Sequence, residues 1–132
     1  MGFLLDTSVA IDLRDSGRLL GRLAELGERP CLSAISRVEL ENGVYRDPQW
    51  TAVRRATLDV MLAEFATLDF DGPAITAYRQ ILEAVGYSRR KTLDRMIAAT
   101  GIVHGMTLVT LNGDDFRDVP GLSLEVWENP GP

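Results

Sequence analysis

The segment GFLLDTSVAID, residues 2–12, sets an unbroken apolar run, Phe3-Leu4-Leu5, directly against a carboxylate, Asp6. A run of this kind reads as a short strand, Gly2 to Asp6, buried on both faces, and such strands belong to parallel sheets covered by helices on either side. Asp6 then stands at the strand's carboxyl end. Ser8 is placed to cap a short helix carrying Val9, Ile11 and Leu13.

Outward from this segment the pattern keeps alternating. A helix is expected over Ser16 to Leu26, with Leu19, Leu20, Leu23 and Leu26 at helical spacing, and PCLSA (Pro30 to Ala34) suits a second strand. A short helix follows from Ser36. The spacing of Val53, Ala56, Leu58, Met61, Leu62 and Phe65 predicts a helix within Gln49 to Ala66, ATLDF (Ala66 to Phe70) a third strand, and Asp71-Gly72-Pro73 the start of another helix. A basic turn, Ser88 to Lys91, leads to a helix capped by Thr92 that runs to His104. Met106 to Leu111 reads as a strand, Asn112 to Asp118 as a loop and Leu122 to Trp127 as a last strand. Strands alternating with helices predict an α/β three-layer fold, helices on both faces of a short, mainly parallel central sheet.

Composition narrows the class further. The 132 residues, 45% hydrophobic and 25% charged, fit one globular domain spanning 1–132. No stretch approaches the roughly 20 apolar residues of a membrane span, and the opening lacks a basic secretory n-region, so the mature chain is expected to start at Met1, in the cytoplasm. Cys31 and His104 are the only residues of their types, which excludes disulfide frameworks, zinc-finger spacings and a two-histidine acid/base pair. A formal charge of −5 argues against a polycationic nucleic-acid binder, so any such contact is local.

In an open parallel sheet, ligands bind beyond the carboxyl ends of the strands. Four acids are expected there: Asp6, Glu39 in the first turn of the helix after the second strand, Asp94 at a helix start, and Asp115 after LVTL (Leu108 to Leu111). If they converge they need a cation, since two carboxylates about 4 Å apart repel by about 4 kcal/mol at an effective dielectric near 20. Oxygen ligands without His or Cys favour Mg²⁺ or Mn²⁺, ions that engage phosphates and activate water. Each acid also has a structural reading. Ser36-Arg-Val-Glu39 fits a capping box, Asp94 complements a helix dipole, and Asn112-Gly-Asp-Asp115 is ordinary turn chemistry. Asp6 resists such a reading, because a buried strand-end carboxylate needs partners.

The local contexts of the four acids are similar to those of PIN-domain ribonucleases. The chain most resembles the VapC toxins of bacterial VapBC pairs, over essentially its whole length. LLDTSVAID (Leu4 to Asp12) resembles the opening strand motif, ISRVELENG (Ile35 to Gly43) the segment with the second acid, at Glu39 rather than Glu41, LDRMIAATG (Leu93 to Gly101) the segment with the third, and LVTLNGDDF (Leu108 to Phe116) the ending, with Asn112 and Asp115 matching and Asp114 between them. The run Ser88 to Lys91 is more basic than the family's usual approach to its third acid.

The resemblance implies an Mg²⁺- or Mn²⁺-dependent endoribonuclease leaving 5′-phosphate and 3′-hydroxyl ends, with Asp6, Glu39, Asp94 and Asp115 as catalytic and metal-holding residues and Thr7, Ser8 and Asn112 supporting them. It also implies a homodimer and a VapB-type antitoxin that grips the helical hairpin containing Gln49 to Phe65, with Trp50 and Arg54-Arg55; Trp50 fits a core position equally. Arg89, Arg90 and Lys91 are candidates for RNA phosphates or for a solvated loop. Arg14, Arg18 and Arg22 read as solvated surface, Cys31 as a small buried hydrophobe, and His104 as a helix-end residue or a packed one. Two other readings are a non-catalytic PIN-like RNA-binding module and a receiver-like phosphoacceptor switch using Asp69 or Asp71.

Overall fold

The computed structural model describes residues 2–131; the expectation about Met1 lies outside them. Five strands, β1 (Phe3–Leu5), β2 (Cys31–Ser33), β3 (Thr67–Leu68), β4 (Thr107–Thr110) and β5 (Ser123–Val126), form one sheet in the order β3-β2-β1-β4-β5. Every pairing is parallel. The short apolar run of residues 3–5 is thus the middle strand. Leu4 pairs with Cys31 on one side and Leu108 on the other, and Leu4 and Leu5 are wholly buried ahead of Asp6.

The pleat sends alternate residues to two cores. Leu5, Leu32 and Val109 pack with Val9, Ala10, Leu13, Leu40, Val44 and Leu58 of α1 (Thr7–Asp15), α3 (Ala34–Arg46) and α4 (Thr51–Glu64). Leu4 and Leu108 pack with Ala77 and Ile81 of α5 (Gly72–Val85), Ile97, Ala98 and Ala99 of α6 (Thr92–Val103), and Phe116. A fully buried Leu stabilises by about 1.5–3 kcal/mol, so these two layers hold the sheet between them.

Helix boundaries moved where tertiary contacts outweighed local signals. Ser8 does not cap α1: Asp6 holds the N-cap position, and Ser8 lies in the first turn. The helix expected from Ser16 shrinks to α2 (Leu20–Glu25), because Gly17 turns the chain at φ +68° and Asp12 Oδ2 accepts from the Leu19 N–H at 2.8 Å. α3 is longer than expected, 13 residues, and starts at Ala34 with Ser33 as its cap, accepting from the Ser36 N–H at 3.0 Å. The capping box Ser36–Glu39 is therefore absent, and Glu39 falls in the second turn. Thr92 is likewise no cap. Its hydroxyl donates to the Ser88 carbonyl at 3.0 Å, and Ser88 Oγ accepts from the Lys91 N–H. The Asn112–Asp118 loop contains a 3₁₀ turn over Gly113–Asp115.

Side-chain expectations changed as well. Trp50 is half-exposed, so the core reading fails, and Cys31 is only partly buried. His104 is exposed at the end of α6. Arg14 is buried rather than solvated: its guanidinium donates to the Leu40 carbonyl at 2.8 Å and to Asp15. Gly43 creates the slot, for a Cβ there would stand 2.5 Å from Arg14 Nη1. The receiver-like reading is excluded by topology. β3 is an edge strand, and Asp71 beside it is spent as the N-cap of α5, accepting from the Ala74 N–H.

Candidate active site

At the carboxyl end of β1, Asp6 is 3% exposed. Such a charge needs donors, and it has them: Thr110 Oγ1 at 2.7 Å and Ser8 Oγ at 2.8 Å both donate to Oδ2, and the Thr7 and Ser8 N–H groups also favour the charged form. Desolvation still outweighs them and raises the carboxyl's pKa. Ser8 is itself fixed, accepting from the Leu111 N–H at 3.2 Å. The backbone repeats the tie between β1 and β4, with the Asp6 N–H donating to the Val109 carbonyl at 2.8 Å.

Thr7 links this corner to α3. Its Oγ1 donates to Glu39 Oε1 at 2.6 Å and stands 2.9 Å from Ser36 Oγ, which in turn lies 3.2 Å from Ser33 Oγ. A chain of hydroxyls thus ends on Glu39. Burial pushes the Glu39 carboxyl up, Thr7 opposes this, and the charge of Asp6 adds to the rise. Glu41 faces elsewhere, bound by both oxygens to Arg55 of α4 at 2.6 and 3.1 Å.

Asp94, half-buried in the first turn of α6, has a pKa pushed up to about 6. The causes are burial first, then the charges of Asp6, Asp115 and Glu39, with Arg90 opposing. All four acids singled out in the sequence therefore share one electrostatic pocket. Asp115 closes it from the 3₁₀ turn, 3.6 Å from Arg90 Nη1. Asp114 turns to solvent and pairs with Arg117. Asn112 enters through its backbone N–H, which donates to Thr110 Oγ1 at 2.9 Å.

Among the described residues, no three acidic, His or Cys side chains are drawn close enough to form a ready-made coordination shell. The four acids are coupled by field rather than by contact. This suits a small hard cation, since Mg²⁺ keeps several waters and takes one or two carboxylates directly. The donor set is oxygen only, and the raised carboxyls lack enough positive charge around them. The residues present fit a divalent cation.

Sequence reasoning missed the site roles of four residues. Thr110, wholly buried, is a principal partner of Asp6, and Ser33 and Ser36 lead to Glu39. Arg95, beside Asp94, is 3% exposed and donates to the Gly86 carbonyl at 2.5 Å, with Asp118 at 3.5 Å; its Nε has no partner among the described residues. The Asp-Arg pair at 94–95 was visible in the sequence, but nothing local marked that arginine as buried. Of the basic run, Lys91 pairs with Asp118 at 3.6 Å while Arg89 is exposed.

The all-parallel sheet with acids placed past the carboxyl ends of its central strands puts the chain among open α/β proteins whose ligand sites lie at that edge. The model of the PIN domain family matches residues 3–122. The chain is 31% identical to ribonuclease VapC1 of Rickettsia felis, covering 94% of this chain and 95% of that one, and 27% identical to the tRNA(fMet)-specific endonuclease VapC of Shigella flexneri, covering 95% and 97%. It superposes on a chain of the VapBC2 complex of Rickettsia felis bound to promoter DNA with a TM-score of 0.85, at 26% identity, covering 97% and 100%. The chain belongs to the PIN-domain family and, within it, to the VapC ribonucleases.

Proposed function

We propose that this protein is an Mg²⁺- or Mn²⁺-dependent endoribonuclease and the toxin of a toxin-antitoxin pair, in which Asp6, Glu39, Asp94 and Asp115 hold the cation and orient the attacking water. One observation carries the reading: Asp94 feels the charge of three acids that lie far from it in sequence. When bound, the cation supplies positive charge that offsets their repulsion and screens the phosphate oxygens.

Thr7, Ser8 and Thr110 fix the carboxylates, so that little reorganisation is needed as charge develops. Glu39, which accepts a hydrogen bond from Thr7, or Asp94 in the first turn of α6 would take the proton of the attacking water. Water adds to phosphorus as the bond to the 3′ oxygen breaks, and the departing oxygen takes up a proton from solvent, which leaves a 5′-phosphate and a 3′-hydroxyl. Asn112 supports the turn that carries Asp115. Arg89 and Arg90, exposed at the rim, hold RNA phosphates, while Lys91 is engaged by Asp118.

The partner in this reading is a VapB-type antitoxin. Trp50, Val53 and Val60 expose apolar surface at and along α4, the helix assigned to that contact, and the related solved chains are components of VapBC complexes. The chain is read as one domain that forms a homodimer. No described helix is long and apolar enough to cross a membrane.

The deciding experiment incubates purified, partner-free protein with total cellular RNA and with initiator tRNA, in Mg²⁺, Mn²⁺ or EDTA, beside Asp94→Asn. Discrete metal-dependent cuts absent from the variant are expected. Folded wild-type protein that binds RNA tightly without cutting it in any metal is a binding module instead.

A further inference from the structure

Four cations precede or follow Asp94 closely: Arg89 is exposed, and two of the other three are already committed. Lys91 and Arg95 converge on one oxygen, Asp118 Oδ2, at 3.6 and 3.5 Å. Arg90 differs. Its side chain is 74% exposed, yet its guanidinium reaches Asp115 at 3.6 Å, and its charge also bears on Asp94. It is thus the cation that serves both of the acids contributed by the second half of the chain.

We propose that Arg90 is a built-in counter-ion of the acidic pocket: its guanidinium occupies the charge position beside Asp115 that a divalent cation takes, and yields it when the cation binds. The inference rests on the metal-dependent nuclease reading and deepens it. An ion pair this exposed is weak and exchanges readily. A compact divalent ion carries twice the charge and displaces the arginine. The freed guanidinium is left at the rim, where its planar fork suits a phosphate diester.

Competition of this kind has an unusual signature, because one substitution changes two affinities in opposite directions. Arg90→Gln removes both the competitor and a like charge facing the ion, so Mn²⁺ binds more tightly, while RNA loses a phosphate contact. The test is Mn²⁺ titration of the full chain, followed by electron paramagnetic resonance at pH 8 and low salt, for wild type, Arg90→Gln, Arg90→Lys and Arg79→Gln. Arg79 is a surface residue paired only with Glu83.

We expect a gain of about two- to fivefold in Mn²⁺ affinity for Arg90→Gln, the size of a lost exposed ion pair. It shrinks in about 0.5 M salt. Arg90→Lys stays near wild type, Arg79→Gln is unchanged, and the KM for RNA rises in Arg90→Gln. Unchanged or weaker Mn²⁺ binding in Arg90→Gln overturns the proposal, as does an equal gain in Arg79→Gln. Wild type that binds no Mn²⁺ overturns the nuclease reading and this inference with it.

Discussion

Thr110 Oγ1 donates to Asp6 Oδ2 across 2.7 Å, although the two stand 104 positions apart in the chain. The same oxygen of Thr110 accepts from the Asn112 N–H, so one hydroxyl fixes both the central carboxylate and the start of the turn that delivers Asp115. Replacing it by the near-isosteric valine tests that double role.

Thr110→Val leaves a buried charge short of a donor. Hydrogen bonds to charged groups are worth about 1.5–3 kcal/mol, so urea denaturation at pH 8 is expected to show a loss of about 2 kcal/mol. The Asp6 carboxyl rises further, and RNA cleavage falls about tenfold through misplacement of the acid. A valine variant with wild-type stability and rate would show that the contact does not matter.

Asp94→Asn is expected to abolish cleavage and yet stabilise the metal-free protein. Folding raises this carboxyl from 3.8 to about 6, so the folded state binds its proton more tightly than the unfolded chain does. Stability from this group is therefore complete below about pH 4 and lost as pH rises through about 6. Because Asp94 is half-exposed, the gain in Asp94→Asn at pH 8 is about 1 kcal/mol rather than the full value of the shift. Thermal unfolding across pH 4 to 8 without metal, repeated with Mn²⁺, gives the check: Mn²⁺ should stabilise wild type and not the variant.

Neighbouring acids should separate cleanly. Glu39→Gln and Asp115→Asn lose cleavage. Glu41→Gln and Asp114→Asn keep it, since Glu41 is held by Arg55 and Asp114 by Arg117 at the surface, contacts worth about 0–1 kcal/mol each. Single-turnover rates on one RNA substrate distinguish the pairs.

Two glycines should respond in opposite ways to alanine. At Gly43 the new Cβ would meet the buried Arg14 guanidinium 2.5 Å away, and overpacking of this kind costs about 1–3 kcal/mol. At Gly21, inside α2, nothing lies within 4 Å of that Cβ, so Gly21→Ala gains about 0.4–1 kcal/mol. Denaturant midpoints of the two variants provide the comparison.

The four acids could be picked out in the sequence from their local motifs and, for Asp6, Asp94 and Asp115, from their place at a strand end or helix start; Glu39, expected in the first turn of its helix, lies in the second. The alternation of periods likewise foretold a layered α/β fold. What stayed hidden depends on partners far along the chain. Ser33 and Ser36 both fit a helix start, and the choice fell to Ser33 because Ser36 is drawn into the buried hydroxyl chain with Thr7. Arg14 looked like surface because nothing near it announces the slot at Gly43, and Thr110 looked like an ordinary β-branched strand residue until β4 lay beside β1. Asp114 and Asp115, adjacent and identical in type, were told apart in the sequence by the motif resemblance alone; the 3₁₀ turn supplies the physical reason, with Asp114 outward on Arg117 and Asp115 beside Arg90.

The placement of β1 between β2 and β4 also sets a timetable for synthesis. Asp6 and Glu39 leave the ribosome early, but their pocket is not closed until β4 pairs with β1 and the segment bearing Thr110 and Asp115 has emerged. Long-range parallel pairing of this sort is slow to form and completes late. A nascent chain in which the segment from Thr107 on has not yet emerged therefore holds at most three of the four acids and lacks the strand that fixes Asp6, so the acidic pocket cannot close before that segment is available.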